Sequence, residues 1–209
     1  MNAQDIKADI NQIDNHLAAY EYEEALKLSL IVLGKNPNNA KVLEMRATVA
    51  TEMSDFDTAL KYLNKAIVAE PSSGYSKYLA KAQLLSGNYS LESYKKAIEI
   101  IKINQQPTSI QSNGAKNNDE SMEVESTSPE ENIPDESHVN IEEYKEEHSL
   151  ERDLSSIYCS IAELYLTDLC DESDAESCCT AAIKSAMETD PTNAEAPIVK
   201  VCRLKCSAI

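Results

Sequence analysis

The chain has 209 residues, with 36 Asp and Glu against 19 Lys and Arg, for a formal net charge of −17. Charge of that sign repels nucleic-acid phosphates and anionic lipid and attracts basic proteins, so direct nucleic-acid binding and membrane association are not expected. Trp is absent, Phe occurs once and Gly four times, which leaves little material for β-sandwich turns or for a glycine loop that cradles phosphate.

The first ten residues carry Asp5 and Asp9 and no apolar run, and are not expected to act as a secretory signal or an Arg-rich transit peptide. The next segment shows the pattern that organises the chain. Tyr22, Ala25, Leu26, Ser29, Val32, Leu33 and Pro37 match, at a shift of 34 residues, Phe56, Ala59, Leu60, Leu63, Ala66, Ile67 and Pro71. Spacing of i, i+3, i+4, i+7, i+10 and i+11 puts each set on one stripe of a helix, and each stripe must bury itself against a neighbour. The stretch Leu26 to Leu33 is far too short to span a bilayer. Pro37 and Pro71 lack the amide donor that would continue a helix, so Asn36-Pro37-Asn38-Asn39 and Glu70-Pro71-Ser72-Ser73 read as turns whose trailing Asn or Ser caps the next helix.

Between the two stripes, Val42, Leu43, Ala47, Val49, Ala50 and Met53 form a helix that ends before Ser54-Asp55, which completes a helix-turn-helix hairpin. A further 34 residues on, Tyr94, Ala97, Ile100 and Ile101 keep register, with Ser93 in place of a small apolar residue and the proline displaced to Pro107. Period, small residues and closing proline resemble the tetratricopeptide repeat (TPR). The motif's early Trp, Leu, Gly and Tyr are mostly replaced, by Leu43, Arg46, Ala47 and Ala50. The expected fold is all-α, a superhelix of TPR hairpins interrupted by a disordered acidic insertion.

Three segments follow: an N-terminal block of about three repeats (1–104), a linker (105–148) and a C-terminal TPR-like block (149–209). In the linker, periodicity vanishes and Ser, Asn, Pro, Glu and Asp dominate, a composition that cannot offset its ordering entropy by burial. Asn117 to Glu151 alone holds thirteen acidic residues and one Lys, Lys145. Helical pattern returns at Leu154, Ile157, Tyr158, Ile161, Ala162, Leu164 and Tyr165, and Asp190-Pro191-Thr192-Asn193 repeats the earlier punctuation. Counting back from Pro191 places Cys179, Ile183, Ala186 and Met187 on a stripe, with Cys179 where Ala59 stands. The first helix of this unit is longer than standard by about five residues before Ala175.

All six cysteines (Cys159, Cys170, Cys178, Cys179, Cys202, Cys206) lie in the last quarter, without the dispersed framework of a disulfide-stapled secreted domain, and are expected as reduced thiols. Cys202 and Cys206 are spaced i, i+4, but no second pair or nearby His completes a tetrahedral zinc site, so no metal or cofactor is expected. The histidines are His16, His138 and His148, and no Ser-His-Asp grouping or P-loop accompanies them. An enzyme is not expected.

Ser160 to Glu176, most specifically Ala162 to Glu176 (Ala162-Glu163-Leu164-Tyr165-Leu166-Thr167-Asp168-Leu169-Cys170-Asp171-Glu172-Ser173-Asp174-Ala175-Glu176), resembles the eukaryotic family of TPR chaperones that escort universal ribosomal protein four to the assembling large subunit. The order of TPR units, acidic insertion, this segment and an Asp-Pro turn is similar to that family too. The sequence stops after one further helix where the family continues, so a truncated C-terminal block is an expectation. The resemblance implies a monomeric protein, cytoplasmic and nuclear, that holds a newly made basic ribosomal protein and shields it from aggregation and wrong RNA.

TPR first helices line a concave groove that takes extended peptides or helices. Off-stripe residues of those helices are the client-binding candidates: Lys41, Glu44, Thr48, Glu52, Tyr75, Tyr78, Ala82, Leu85, Ser156, Cys159, Glu163, Leu166 and, at the end, Asp168. The carboxylates would pair with client Lys or Arg, and the tyrosines offer cation–π surfaces. The alternative is an adaptor or co-chaperone scaffold in another complex. A carboxylate clamp for Hsp70 or Hsp90 needs Lys, Asn and Arg where this chain has Ile10, Asp14, Met45, Tyr75 and Leu79.

Overall fold

The computed structural model describes residues 3–105 and 141–206, with side-chain surroundings over 6–105 and 150–200. The central acidic stretch and the sequence Pro107 therefore lie outside the described residues. Among the described residues all regular structure is helical: α1 (Ala3–Ala18), α2 (Tyr22–Lys35), α3 (Ala40–Glu52), α4 (Phe56–Ala69), α5 (Ser76–Leu84), α6 (Gly87–Gln105), α7 (Ile141–Leu166), α8 (Ala175–Thr189) and α9 (Glu195–Cys206). Consecutive helices pair as hairpins, α1 with α2, α3 with α4, α5 with α6 and α7 with α8, and each hairpin packs on the next.

The repeat register predicts what is buried inside the hairpins. Ala25, Ser29 and Val32 of α2 and Ala59, Leu63 and Ala66 of α4 are all buried. Cys179, Ile183 and Ala186 repeat the pattern on α8. The serines in this stripe bond back into their own helices: Ser29 Oγ donates to the Leu26 carbonyl at 2.7 Å and Ser93 Oγ to that of Tyr89 at 2.9 Å. A small hydroxyl satisfied this way occupies the close-approach position of an alanine at little cost. Two stripe members fall outside the core: Phe56 is 51% exposed and Met187 39%. Phe56 is the first residue of α4, beyond the last helix turn that covers this stripe.

The turns work as the sequence indicates, with one exception. Asn39 accepts the Val42 amide at 3.0 Å and Asp55 that of Thr58 at 3.2 Å, supplying partners for orphan donors of α3 and α4. Asn193 does the same for the Glu195 amide at 2.9 Å. Neither Ser72 nor Ser73 caps α5. Gly74 takes a left-handed conformation (φ 64°) and delays the helix to Ser76, whose N-cap residue Tyr75 makes no side-chain cap bond.

α7 departs from the sequence reading at both ends. It begins at Ile141, inside the stretch read as linker, and ends at Leu166. No Pro or Gly interrupts this span, and its Glu, Lys and Leu content favours helix once the apolar face of its second half is buried. The extra residues before Ala175 do not lengthen the helix. Residues 167–174 form a loop of turns whose one buried member is Leu169.

Buried side chains form two clusters. One joins α1, α2 and α3 through Ile13, Ala25, Val32, Val42, Met45 and Val49. The other runs from α5 to α9 and contains, among others, Leu91, Ile98 and Ile101 of α6 with Leu154, Ile157 and Ile161 of α7. The α5–α6 hairpin thus shares its core with α7–α9 across the insertion, although the sequence groups it with the first block.

Candidate functional site: a groove at the α5–α6–α7 junction

Four of the predicted client-binding residues meet in one place. Ala82 and Leu85 at the end of α5, and Glu163 and Leu166 at the end of α7, line a groove of about 570 Å³ that also includes Tyr94, Ser160 and Leu164. Ala82 is 1% exposed and belongs to the groove's floor, while Glu163 is exposed at its rim. The groove exists because α7 packs on α6 and because α5 stops early, at Leu84.

Its polar atoms are arranged around Glu163. Burial pushes the Tyr94 phenol above its ordinary pKa; a hydrogen bond with Ser160 opposes the shift and the Glu163 charge adds to it. Cys159 lies one turn of α7 before Glu163, and burial, followed by the charges of Glu195 and Glu163, holds its thiol up at about 11. Among the described residues no Lys or Arg pairs with Glu163. A carboxylate above an apolar floor, without an internal cation, is suited to receive a Lys or Arg carried on an apolar stem. Tyr94 and Ser160 were absent from the sequence-derived set because Tyr94 reads as a stripe residue; its polar tip was the available signal.

The remaining candidates are distributed differently. Lys41 and Thr48 are exposed on α3. Glu44 is half-buried and already engaged, accepting from Ser76 Oγ at 2.6 Å with Lys77 Nζ at 4.0 Å, and Glu52 accepts from Tyr22 at 3.1 Å. Tyr75 donates its hydroxyl to Asp153 of α7, and burial together with that partner pushes its phenol up to about 12. Ser156 accepts from Asn193 at 3.3 Å. Three expectations are corrected. Tyr78 is 8% exposed, with its hydroxyl on the Pro71 carbonyl at 2.8 Å, Cys159 is 3% exposed and Ala82, on the groove's floor, 1%, so none of the three presents an exposed surface to a client. Asp168, which is exposed and stays a candidate, accepts the Gly87 amide at 2.9 Å and joins the α7–α8 loop to the start of α6.

No group of three or more His, Cys, Asp or Glu among the described residues is arranged to hold a metal ion. No helix of the described residues is long and apolar enough to cross a membrane.

Paired antiparallel helices, stacked hairpin on hairpin with a groove between their first helices, define a helical-repeat fold of the TPR kind. Among solved structures, the chain is similar to the Assembly Chaperone of RpL4 (Acl4), residues 1–338, with a TM-score of 0.71 at 20% identity, covering 100% of this chain and 70% of that one. A tetratricopeptide repeat protein from Parabacteroides merdae aligns over 99% of this chain and 74% of its own, at 15% identity and a TM-score of 0.42. In sequence, the chain is 28% identical over 195 residues to the "Probable assembly chaperone of rpl4" of Schizosaccharomyces pombe, covering 90% of this chain and 47% of that protein. The chain thus spans about half the length of the curated relative it matches. No protein-family profile matches it.

Proposed function

We propose that this chain is a dedicated chaperone for a newly made basic protein of the large ribosomal subunit, ribosomal protein four, which it holds in the groove between α5, α6 and α7. The observation that carries this reading is the sequence similarity to an assembly chaperone of rpl4 along 90% of the chain. The groove fits it physically, because Glu163 offers an uncompensated carboxylate beside the apolar side chains of Leu85 and Leu166. A basic client segment seated there is screened from stray RNA by competition for the same cations, and later rRNA contact displaces the chaperone. Binding without chemistry is consistent with this fold. The escort runs from cytoplasm to nucleus, with the chaperone acting as a monomer.

The test is a direct binding measurement with purified ribosomal protein four, in RNase and at moderate salt. Wild type binds, and Glu163→Lys weakens binding on the order of tenfold through like-charge repulsion while the helical circular dichroism is unchanged. Glu44→Lys and Glu52→Lys have smaller effects, because those carboxylates already accept hydrogen bonds within the protein. No binding by wild type overturns the client assignment; wild-type affinity in Glu163→Lys overturns the groove.

A further inference from the structure

The joint between α6 and α7 is made by segments that residues 106–140 separate in sequence, yet its packing is continuous. Leu91, Ile98 and Ile101 share a core cluster with Leu154, Ile157 and Ile161. Fully burying side chains of this size contributes about 1.5–3 kcal/mol each. Polar contacts hold both ends of the joint. At one end Tyr75 donates to Asp153, and the Lys102 ammonium lies 5.8 Å from the centre of the Tyr158 ring. At the other, the Gly87 amide donates to Asp168 at 2.9 Å, and Leu169 packs beside Gly87, whose φ of 57° presents the amide to the loop.

Charge acts in the same direction. α5 and α6 together carry Lys77, Lys81, Lys95, Lys96 and Lys102 against Glu92 and Glu99, five minus two, or +3. Among the described side chains of α7, Glu151, Asp153 and Glu163 stand against Arg152, one minus three, or −2. In a chain whose overall charge is strongly negative, the described part of α7 brings net negative charge onto a hairpin of net positive charge.

We propose that residues 141–206 are held on the α5–α6 hairpin by this surface alone, as a non-covalent partner, so that the connection through 106–140 is dispensable once the chain has folded. A long connection raises the effective concentration of the two parts without setting their geometry. An apolar core with a pinned contact at each end sets geometry without a connection.

The test uses the full chain with a protease site inserted after Ser121, cleaved after folding and run on gel filtration under native conditions. The two pieces are expected to elute together as one particle with the helical circular dichroism of the uncut protein. Separate elution of the pieces overturns the proposal. A second variant carries Tyr75→Phe with Asp168→Ala; uncut, it keeps its helical signal, because the Phe ring still packs against the core as the Tyr ring does and Asp168 is exposed. Cut and followed on dilution, its pieces separate with a dissociation constant raised about tenfold or more, the expected loss for two hydrogen bonds to carboxylates. An unchanged dissociation constant overturns the assignment of the joint to these contacts.

Discussion

The first hairpins and the last ones bury similar side chains but are joined by different means. Between α2 and α3 the chain runs through the four-residue turn Asn36 to Asn39, and the Asn39 cap fixes where α3 starts. The side chains there fill space already defined. Arg46 of α3 reaches Ser29 Oγ at 3.2 Å and covers the Tyr62 ring at 4.7 Å, bridging its neighbours on either side. Between α6 and α7 no short turn defines the angle, and the contacts themselves must do so. Polar side chains accordingly appear at both ends of that joint, and the groove lies beside it. Polar contacts occur at both kinds of joint, but with a short connection the turn already limits the angle, whereas with a long insertion the contacts alone must specify orientation.

The largest effects that would break this comparison come from its two cores. Ile13, fully buried in the first cluster, and Ile157, 1% exposed in the second, should each cost about 2–5 kcal/mol on substitution by Ala. Amide hydrogen exchange is expected to localise the loss, to α1–α3 for Ile13→Ala and to α5–α8 for Ile157→Ala. Uniform acceleration across both clusters in either variant would show one cooperative unit instead of two.

An intermediate effect concerns pH. The Tyr75 phenol, ordinarily near 10, is pushed up to about 12, first by burial and then by Asp153. Between those values the folded protein retains a proton that the unfolded chain has lost. This contribution is therefore complete below pH 10 and is lost as pH rises toward 12. Chemical denaturation across that interval should show a shallower loss of stability in Tyr75→Phe than in wild type; parallel curves would remove the bond from the account.

The smallest effect compares two helix starts. Asn39→Ala removes a side-chain cap and should cost about 1 kcal/mol. Asp174, at the N-cap of α8, makes no such bond, and Asp174→Ala should leave the midpoint of urea unfolding nearly unchanged. Equal losses would show that α8 is capped after all.

Much of this fold was legible because a 34-residue period repeats the same geometric problem. Ala25, Ala59 and Cys179 occupy equivalent buried positions, and the Asn-Pro and Asp-Pro turns stop helices where proline chemistry requires. Less visible were features that depend on pairs of residues far apart in sequence. Gly87 and Asp168 reveal no partnership until α7 is seated. Tyr78 read as exposed because its helix face, not its neighbour Pro71, was considered. The start of α7 at Ile141 was hidden by composition: Glu-rich sequence serves a solvated linker and a helix equally well. Repeat geometry puts Leu85, Glu163 and Leu166 on the first helices that line the groove, whereas the place of Tyr94 and Ser160 in it depends on which helices meet.

The place of the groove in the chain has a consequence for its own synthesis. Its α5 wall is complete by Leu85, but Glu163 and Leu166 follow only after α6 and residues 106–140 have been made. At translation speeds of about 5–20 residues per second, that delay lasts several seconds. During this interval the nascent chain exposes the apolar face of α6 that α7 later covers, and the groove is not yet formed. Whatever the groove holds can be seated there only after residue 166 has been made.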